Sequence, residues 1–305
     1  QRSFPAYNDQ IKNVLYIRRA GHFSSQQMGA YMLEQVKHLG CRRMRCHVKS
    51  IVKDNRYTLE IRTIDESLSL KADIVVNAAG PYVAEVAEML GVNIPVENIY
   101  HQKIAFEDRL LAVPRDQPFS IDLDETTLEW SDEEQEALKD DPSLIWLTKP
   151  IAGGIHCRPD GPGNWIKLGW AYNREPSYPN NNQSLIEDPA YDSNFPELVV
   201  RGAARLNPNL KPYIEQLPRS RVHYGGYYTM TKENWPIIGP LDDAGSFVAG
   251  ALSGFGSMGA CAAGSLCADW VCVGDLPEYA SALTLDRYDD PLLVAEMSRA
   301  NTGLL

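Results

Sequence analysis

Gly254-Phe255-Gly256-Ser257-Met258-Gly259 spells G-x-G-x-x-G between a strand-like stretch, SFVAGA, and a small-residue helix, GACAAGSLCADWV. A dinucleotide fingerprint of this kind opens the first turn of a βαβ unit and is followed, about 20 residues on, by an acidic residue at the end of a second strand. Here Asp275 falls at about that distance but sits in a Gly-Asp-Leu-Pro turn, and no second strand is visible. A self-contained NAD-type site built on residues 246–275 therefore lacks half of its frame. Two readings of the glycines stay open. Beside Ser253 and Ser257 they let a backbone approach an oxygen-rich or aromatic ligand and aim amide N–H groups at it from a helix start. Alternatively, Gly259, Ala260, Ala262, Ala263, Gly264 and Ala268 smooth the helix for close packing on a sheet.

Other reactive side chains are sparse. His101 and Lys103 share a face of IYHQKIAF by the two-residue period of a strand, which makes them polar candidates for a substrate or a solvated surface pair. His22, His38, His47, His156 and His223 form no H-x-x-x-H or H-E-x-x-H spacing, so no metal site is expected. G-x-S-x-G is absent, so no nucleophilic serine stands out. The six cysteines have no C-x-x-C pairing and read as reduced core thiols. A formal net charge of -11 disfavours phosphate backbones and anionic membranes, so nucleic acid is excluded as a partner. No basic-then-apolar leader and no apolar run of about 18 residues is present, which points to a soluble intracellular chain with the cytoplasm as the default and the peroxisome or mitochondrion as alternatives.

A chain of 305 residues allows roughly two domains. SSQQMGAYMLEQVKHL at 24–39 has Met28, Tyr31, Met32, Val36 and Leu39 at helical spacing, with Ser24 or Ser25 as N-cap and Gly40 past the end, and predicts a surface helix with one buried stripe. CRRMRCHVKSIVKD, RYTLEIRTI and SLSLKA predict a small antiparallel set. Residues 73–80 form an apolar run suited to a strand covered on both faces, and PYVAEVAEML a helix stopped by Gly91. IYHQKIAFED predicts a half-exposed strand, SDEEQEALKD a solvated helix, NWIKLGWAY a strand, 173–194 a loop, and FPELVVRGAARL a helix. The order runs from an α/β portion through a β-rich portion and back to a strand and helix at the C-terminus.

Three stretches in order, ADIVVNAAGPYVAEVAEMLG, GGYYTMTKENWPIIGPL and SFVAGALSGFGSMGACAAGSLCADW, resemble the flavin amine oxidoreductase superfamily that includes D-amino-acid oxidase, monomeric sarcosine oxidase and glycine oxidase. RAGHFSSQQMGAYMLEQVKHLGCRRMRCHVKSI resembles the helix and strand leading into that family's adenine site, and the resemblance runs through most of the chain from about residue 19. It implies noncovalent FAD as cofactor, with Ser253, Gly254, Phe255, Gly256, Ser257 and Met258 beside the flavin, Ala78, Ala79 and Gly80 near the adenine-ribose half, and Val48 offering backbone bonds to adenine. Gly226 stands where covalently flavinylated members carry a cysteine. The resemblance also gives Lys167 a role in oxygen reduction and Tyr228 a place on the substrate side, while Tyr227, one residue away on a strand, faces the other way. Met258 and Phe255 stand where sarcosine-type members place a carboxylate-binding lysine and a histidine, which leaves His101, Lys103 and Phe255 as the substrate-binding candidates.

The fold implied is an α/β, Rossmann-like FAD-binding portion interleaved with a β-rich antiparallel substrate portion. Expected boundaries are 1–95 and 231–280 for the FAD-binding portion, 96–230 for the substrate portion, and 281–305 for a tail. One departure stands out: the 24 residues before the first helix hold a single glycine, Gly21, so the family's N-terminal phosphate-binding βαβ unit is missing from this stretch. The expected activity is FAD-dependent oxidation of a C–N bond in a small amine or amino-acid-like substrate. The alternative is a noncatalytic pseudo-oxidoreductase, or a fragment without competent FAD binding.

Overall fold

The computed structural model describes residues 4–173, 175–177, 192–242 and 244–299. Most of the expected 173–194 loop lies outside the described residues. Helix α1 (Ser25–His38) starts where the Ser24 hydroxyl accepts from the Gln27 amide, and Gly40 follows it with φ +87°. None of its residues is buried. The expected apolar stripe is therefore corrected: Tyr31 and Leu39 are 62% and 82% exposed, because no described element lies over that face.

Strands β1 (His47–Lys53), β2 (Tyr57–Arg62) and β3 (Ser67–Ala72) form the expected antiparallel sheet. Next comes β4 (Val75–Asn77), which is shorter than the apolar run and buried on one face only, with Val76 46% exposed. The reason is topological: β4 is the edge of a sheet ordered β10 (Ile237–Pro240), β11 (Ser246–Gly250), β4, and pairs with β11 in parallel. Helix α2 (Val83–Met89) buries Val83 and Ala87 and ends before Gly91, whose φ of +76° suits a residue without Cβ.

The largest sheet is antiparallel, with β5 (Glu97–Glu107) next to its centre in the order β6 (Ser120–Asp122), β7 (Ile155–Pro159), β8 (Trp165–Trp170), β5, β9 (Val222–Met230). The half-exposed reading of β5 is corrected, since residues 98–102 and 104–106 are all buried. Its alternation separates two chemistries rather than core from water. On one face Ile104, Phe106, Ile166, Leu168 and Trp170 pack under helix α4 (Phe195–Leu206). Gly202 permits that approach, because a Cβ there would come within 2.2 Å of Ile155 Cδ1.

Helix α3 (Asp132–Asp140) is capped by a Ser131–Glu134 box and buries only Leu138, as a solvated helix should. Short α5 (Pro212–Glu215) follows α4, and α6 (Gly256–Cys272) and α7 (Pro291–Arg299) close the described chain. The cysteines are all free, but only Cys157 and Cys267 are buried, so the core-thiol reading holds for these two alone.

Candidate functional site

The second face of the five-stranded sheet carries the polar residues. Cross-strand register sets His101 opposite Gly226, Lys103 opposite both Gly169 and Tyr224, Lys167 opposite both Ala105 and Arg158, and His156 opposite Gly169. By the two-residue period these side chains, with Tyr228, project from the same face. Residues far apart in sequence thus meet on one surface whose reverse is the main apolar core. Tyr227 points to the other side, where its ring meets Tyr100 edge-on at 5.2 Å.

Gly226 and Gly225 illustrate the asymmetry. A Cβ on Gly225 would come within 2.5 Å of the Tyr100 ring, whereas at Gly226 no heavy atom lies within 4 Å of that position. Gly226 therefore leaves open surface beside His101 and Tyr228, whose rings meet edge-on at 4.5 Å. The Tyr228 hydroxyl is pushed above its ordinary pKa by burial and then by Tyr224, so it stays a protonated hydrogen-bond donor at neutral pH.

Lys167 is held by Asp160 at 3.2 Å, and the same carboxylate takes Arg158 at 2.6 Å. Lys167 also lies 5.8 Å from the Tyr224 ring centroid. Lys103, two rungs along, has no counter-ion within 4.0 Å among the described residues. Its ammonium is held below the usual lysine range by burial and by the neighbouring charges of Lys167 and Arg158. His156 is 4% exposed and bonded through Nδ1 to the Gly154 carbonyl at 3.0 Å. The ring lies over Gly169, where a Cβ would come within 2.2 Å of Nε2. Burial, followed by the charge of Lys103, pulls its pKa down to about 3, so the ring is neutral with a proton on Nδ1 and a lone pair on Nε2.

Two turns meet β9. Gly80 opens the first, Gly80–Tyr82, with φ +57° and no neighbour within 4 Å of a notional Cβ. Ala78 and Ala79 lie between it and β4, where the Ala79 amide donates to Asn77 Oδ1 at 3.3 Å. Buried Asn98 ties this turn to the sheet, donating to the Pro81 carbonyl at 2.8 Å and accepting from Thr229 Oγ1 at 2.7 Å. The second turn, Ser253–Phe255, joins β11 to α6. Ala251 and Ser253 adopt φ of 55° and 52° there, a left-handed backbone that costs non-glycine residues about 1–3 kcal/mol each and clusters at functional sites. Ser253 Oγ is buried and has no hydrogen-bond partner among the described residues. Phe255 and Met258 are 36% and 62% exposed, and Ser257 Oγ lies 2.9 Å from Ser25 Oγ of α1. Gly254 and Gly256 give that turn its smooth backbone, and a Cβ on Gly256 would meet only Leu252, at 3.8 Å. Val48 sits elsewhere on β1, packed with Ile51, Tyr57 and Val75 beside a register shift between Val48 and Ser50.

These residues fit a flat, partly polar ring system such as FAD. Among the described residues, no heavy atom lies within 4 Å of a notional Cβ on Gly226 or Gly80, and the buried Ser253 hydroxyl has no hydrogen-bond partner. Arg158, Asp160, His156, Tyr224, Asn98 and Thr229 are additions that motif reading missed. The alternation of IHCRP and VHYGGYYTM could have found His156, Arg158 and Tyr224; the Asn98 bridge has no sequence signal. Among the described residues no group of histidines, cysteines and carboxylates could hold a metal, and no helix is long and apolar enough to cross a membrane.

The arrangement is that of an oxidoreductase fold seen in solved structures. L-Proline dehydrogenase from P. horikoshii has a TM-score of 0.62 at 19% identity, over 87% of this chain and 59% of that one. Glycine oxidase from Geobacillus kaustophilus gives 0.56 at 18% identity, over 81% and 53%. NikD, an unusual amino acid oxidase essential for nikkomycin biosynthesis, in its Tyr258Phe mutant form, gives 0.59 at 17%, over 84% and 58%. The chain thus spans little more than half the length of each of these proteins. The family model for FAD dependent oxidoreductases matches residues 1–270, and the chain belongs to that family. No curated protein matches it.

Proposed function

We propose that the protein oxidises a C–N bond of a small amine or amino-acid-like substrate, with FAD held noncovalently against the glycine face of β9. One observation carries the reading: Lys167, Tyr228 and Gly226, read separately from sequence, lie on one polar face of the sheet whose other face is core. With FAD held by the residues around Gly226 and Gly80, the cofactor would supply the redox chemistry, as acceptor of a hydride from the carbon beside nitrogen and donor of electrons to oxygen or another acceptor. The amine nitrogen loses a proton in the same oxidation, and the imine product hydrolyses in water.

The chain's own groups have distinct tasks. Lys167, fixed by Asp160, supplies a positive charge where negative charge develops during oxygen reduction. Tyr228 donates a hydrogen bond that orients substrate, and His101 braces its ring. Phe255 offers an apolar wall at the edge of the Ser253–Phe255 turn. Gly226 presents no thiol, which supports noncovalent attachment. Ala78, Ala79 and Gly80 support the adenine-ribose half, with Val48 a strand further on. The pyrophosphate, for which residues 1–24 offer no glycine-rich loop, is held by residues other than these.

Absorbance in the flavin bands tests the reading, measured on this chain and on the protein carrying any residues that precede it. Yellow colour only in the longer form supports an oxidoreductase whose phosphate loop lies upstream. Colourless protein in both forms overturns the proposal in favour of a noncatalytic relative.

A further inference from the structure

The Gly80–Tyr82 turn is held by two buried asparagines, one from each of the sheets it lies between. Asn77, at the end of β4, accepts from the Ala79 amide at 3.3 Å and donates from Nδ2 to the Val83 carbonyl at 2.8 Å, so it spans the turn from its own side. Asn98, near the start of β5, donates to the Pro81 carbonyl at 2.8 Å and accepts from Thr229 Oγ1 of β9 at 2.7 Å. A carbonyl only accepts, which fixes Nδ2 toward Pro81 and leaves Oδ1 for the Thr229 hydroxyl. No apolar side chain of that size can do both.

Burial turns these bonds into constraints of direction. Asn77 and Asn98 are 2% and 5% exposed, and Thr229 is 7% exposed. A buried amide is costly unless both of its ends are bonded, whereas a leucine would fill the same joint without that cost and without fixing an angle. Register places Asn98 opposite Thr229, and by the two-residue period both project from the face of the sheet opposite to Gly226 and Tyr228. Asn98 therefore grips the turn from behind. It puts no atom within 4 Å of a notional Cβ on Gly80 or Gly226, yet it ties the backbone of one to the strand of the other.

Resting on the flavin reading, we propose that Asn98 is a positioning residue: through Pro81 and Thr229 it holds the turn assigned to the adenine-ribose half at a fixed distance from the Gly226 strand, so that one extended cofactor can touch both. The cause is the cost of order. A ligand that bridges two sheets must otherwise set their joint as it binds, and that cost is subtracted from its affinity.

Amide hydrogen exchange in the full-length protein tests the brace. It is read at Tyr82 and Val83, whose amides close the turn on the Ala79 and Gly80 carbonyls, and in α4, which packs on β5, β7 and β8. Asn98→Leu is expected to speed exchange at Tyr82 and Val83 by about tenfold or more and to leave α4 unchanged, with FAD affinity, followed by fluorescence on dilution, lowered about tenfold. Thr229→Val frees the carboxamide to turn and should shift both quantities in the same direction by about threefold, while Thr229→Ser keeps the hydroxyl and should match wild type. Equal acceleration at the turn and in α4 overturns the proposal, since it marks a general loss of stability. Unchanged exchange at the turn overturns it as well. If Asn98→Leu does not fold, the two Thr229 variants decide, and no difference between them sinks the assignment. Exchange needs no flavin, so the two readings separate: a loosened turn in colourless protein keeps the brace and discards the flavin reading, and yellow protein whose turn and affinity both ignore the variants does the reverse.

Discussion

Lys167 sits within one ion pair and one ring contact of its neighbours, so its charge is fixed in place before any substrate arrives. If it assists oxygen reduction, Lys167→Met should slow reoxidation of reduced enzyme by about 10²-fold or more while leaving the reductive half-reaction nearly intact. Stopped-flow traces of the two half-reactions check this, and an equal loss in both would assign Lys167 to substrate binding instead. His156 leads to a different measurement. Its pKa is depressed in the folded state to about 3, from 6.5, so the unfolded chain takes up a proton between these values that the native chain refuses. Its contribution to stability is present above pH 6.5 and is lost as pH falls toward 3. His223, pulled to about 4 by burial and Arg221, adds in the same direction. Thermal midpoints followed from neutral to acidic pH should fall less steeply for His156→Asn, whose amide can still donate to Gly154, than for wild type. Identical slopes would mean that the buried ring is protonated in the native state.

At the scale of elements, β9 is where a packing glycine and a site glycine adjoin. Gly225→Ala drives a methyl into the Tyr100 ring and should lower stability by about 1–3 kcal/mol in urea titrations. Gly226→Ala meets open surface and should leave stability within about 0.5 kcal/mol, yet lower flavin affinity, read by fluorescence on dilution. Equal effects on both properties would dissolve the distinction between the two faces. The sequence already separated Tyr227 from Tyr228 by the period of a strand, and it placed His101 and Lys103 together. What alternation could not supply was the identity of the neighbouring strands. Chain order puts β8 and β9 after β5, but only pairing brings Lys167 and Tyr224 to either side of it. The same limit explains the misreadings of β4 and α1, whose apolar patterns reported what such segments can cover and not what lies on them.

For the whole molecule, the C-terminal segment past the family match at residue 270 is locked in by a buried ion pair. Arg287 has a fully buried side chain that donates to Glu233 and to the carbonyls of Pro236 at 2.6 Å and Trp235 at 3.1 Å. Tyr288 donates to the same carboxylate at 2.8 Å, and burial together with that bond pushes its phenol up to about 12. Arg287→Met alone should cost about 3–5 kcal/mol, since it strands Glu233 in the interior, and adding Glu233→Leu should recover part of that loss. Urea midpoints for the single and double variants decide it; a double variant no better than the single would show that packing around the guanidinium, not the stranded charge, carries the cost. Alone, the sequence determined the strands and helices, the glycine-rich turn and the family pattern, because these depend on local periodicity, capping and backbone freedom. The tertiary structure decided which face each side chain shares and how charges are partnered: Lys103 without a counter-ion among the described residues, Asp160 divided between Arg158 and Lys167, Arg287 sealed beside Glu233. Asp160 reaches its two cations across one hairpin, but Arg287 and Glu233 stand 54 positions apart, and Lys103 meets Lys167 from another strand; no local rule of spacing encodes those placements.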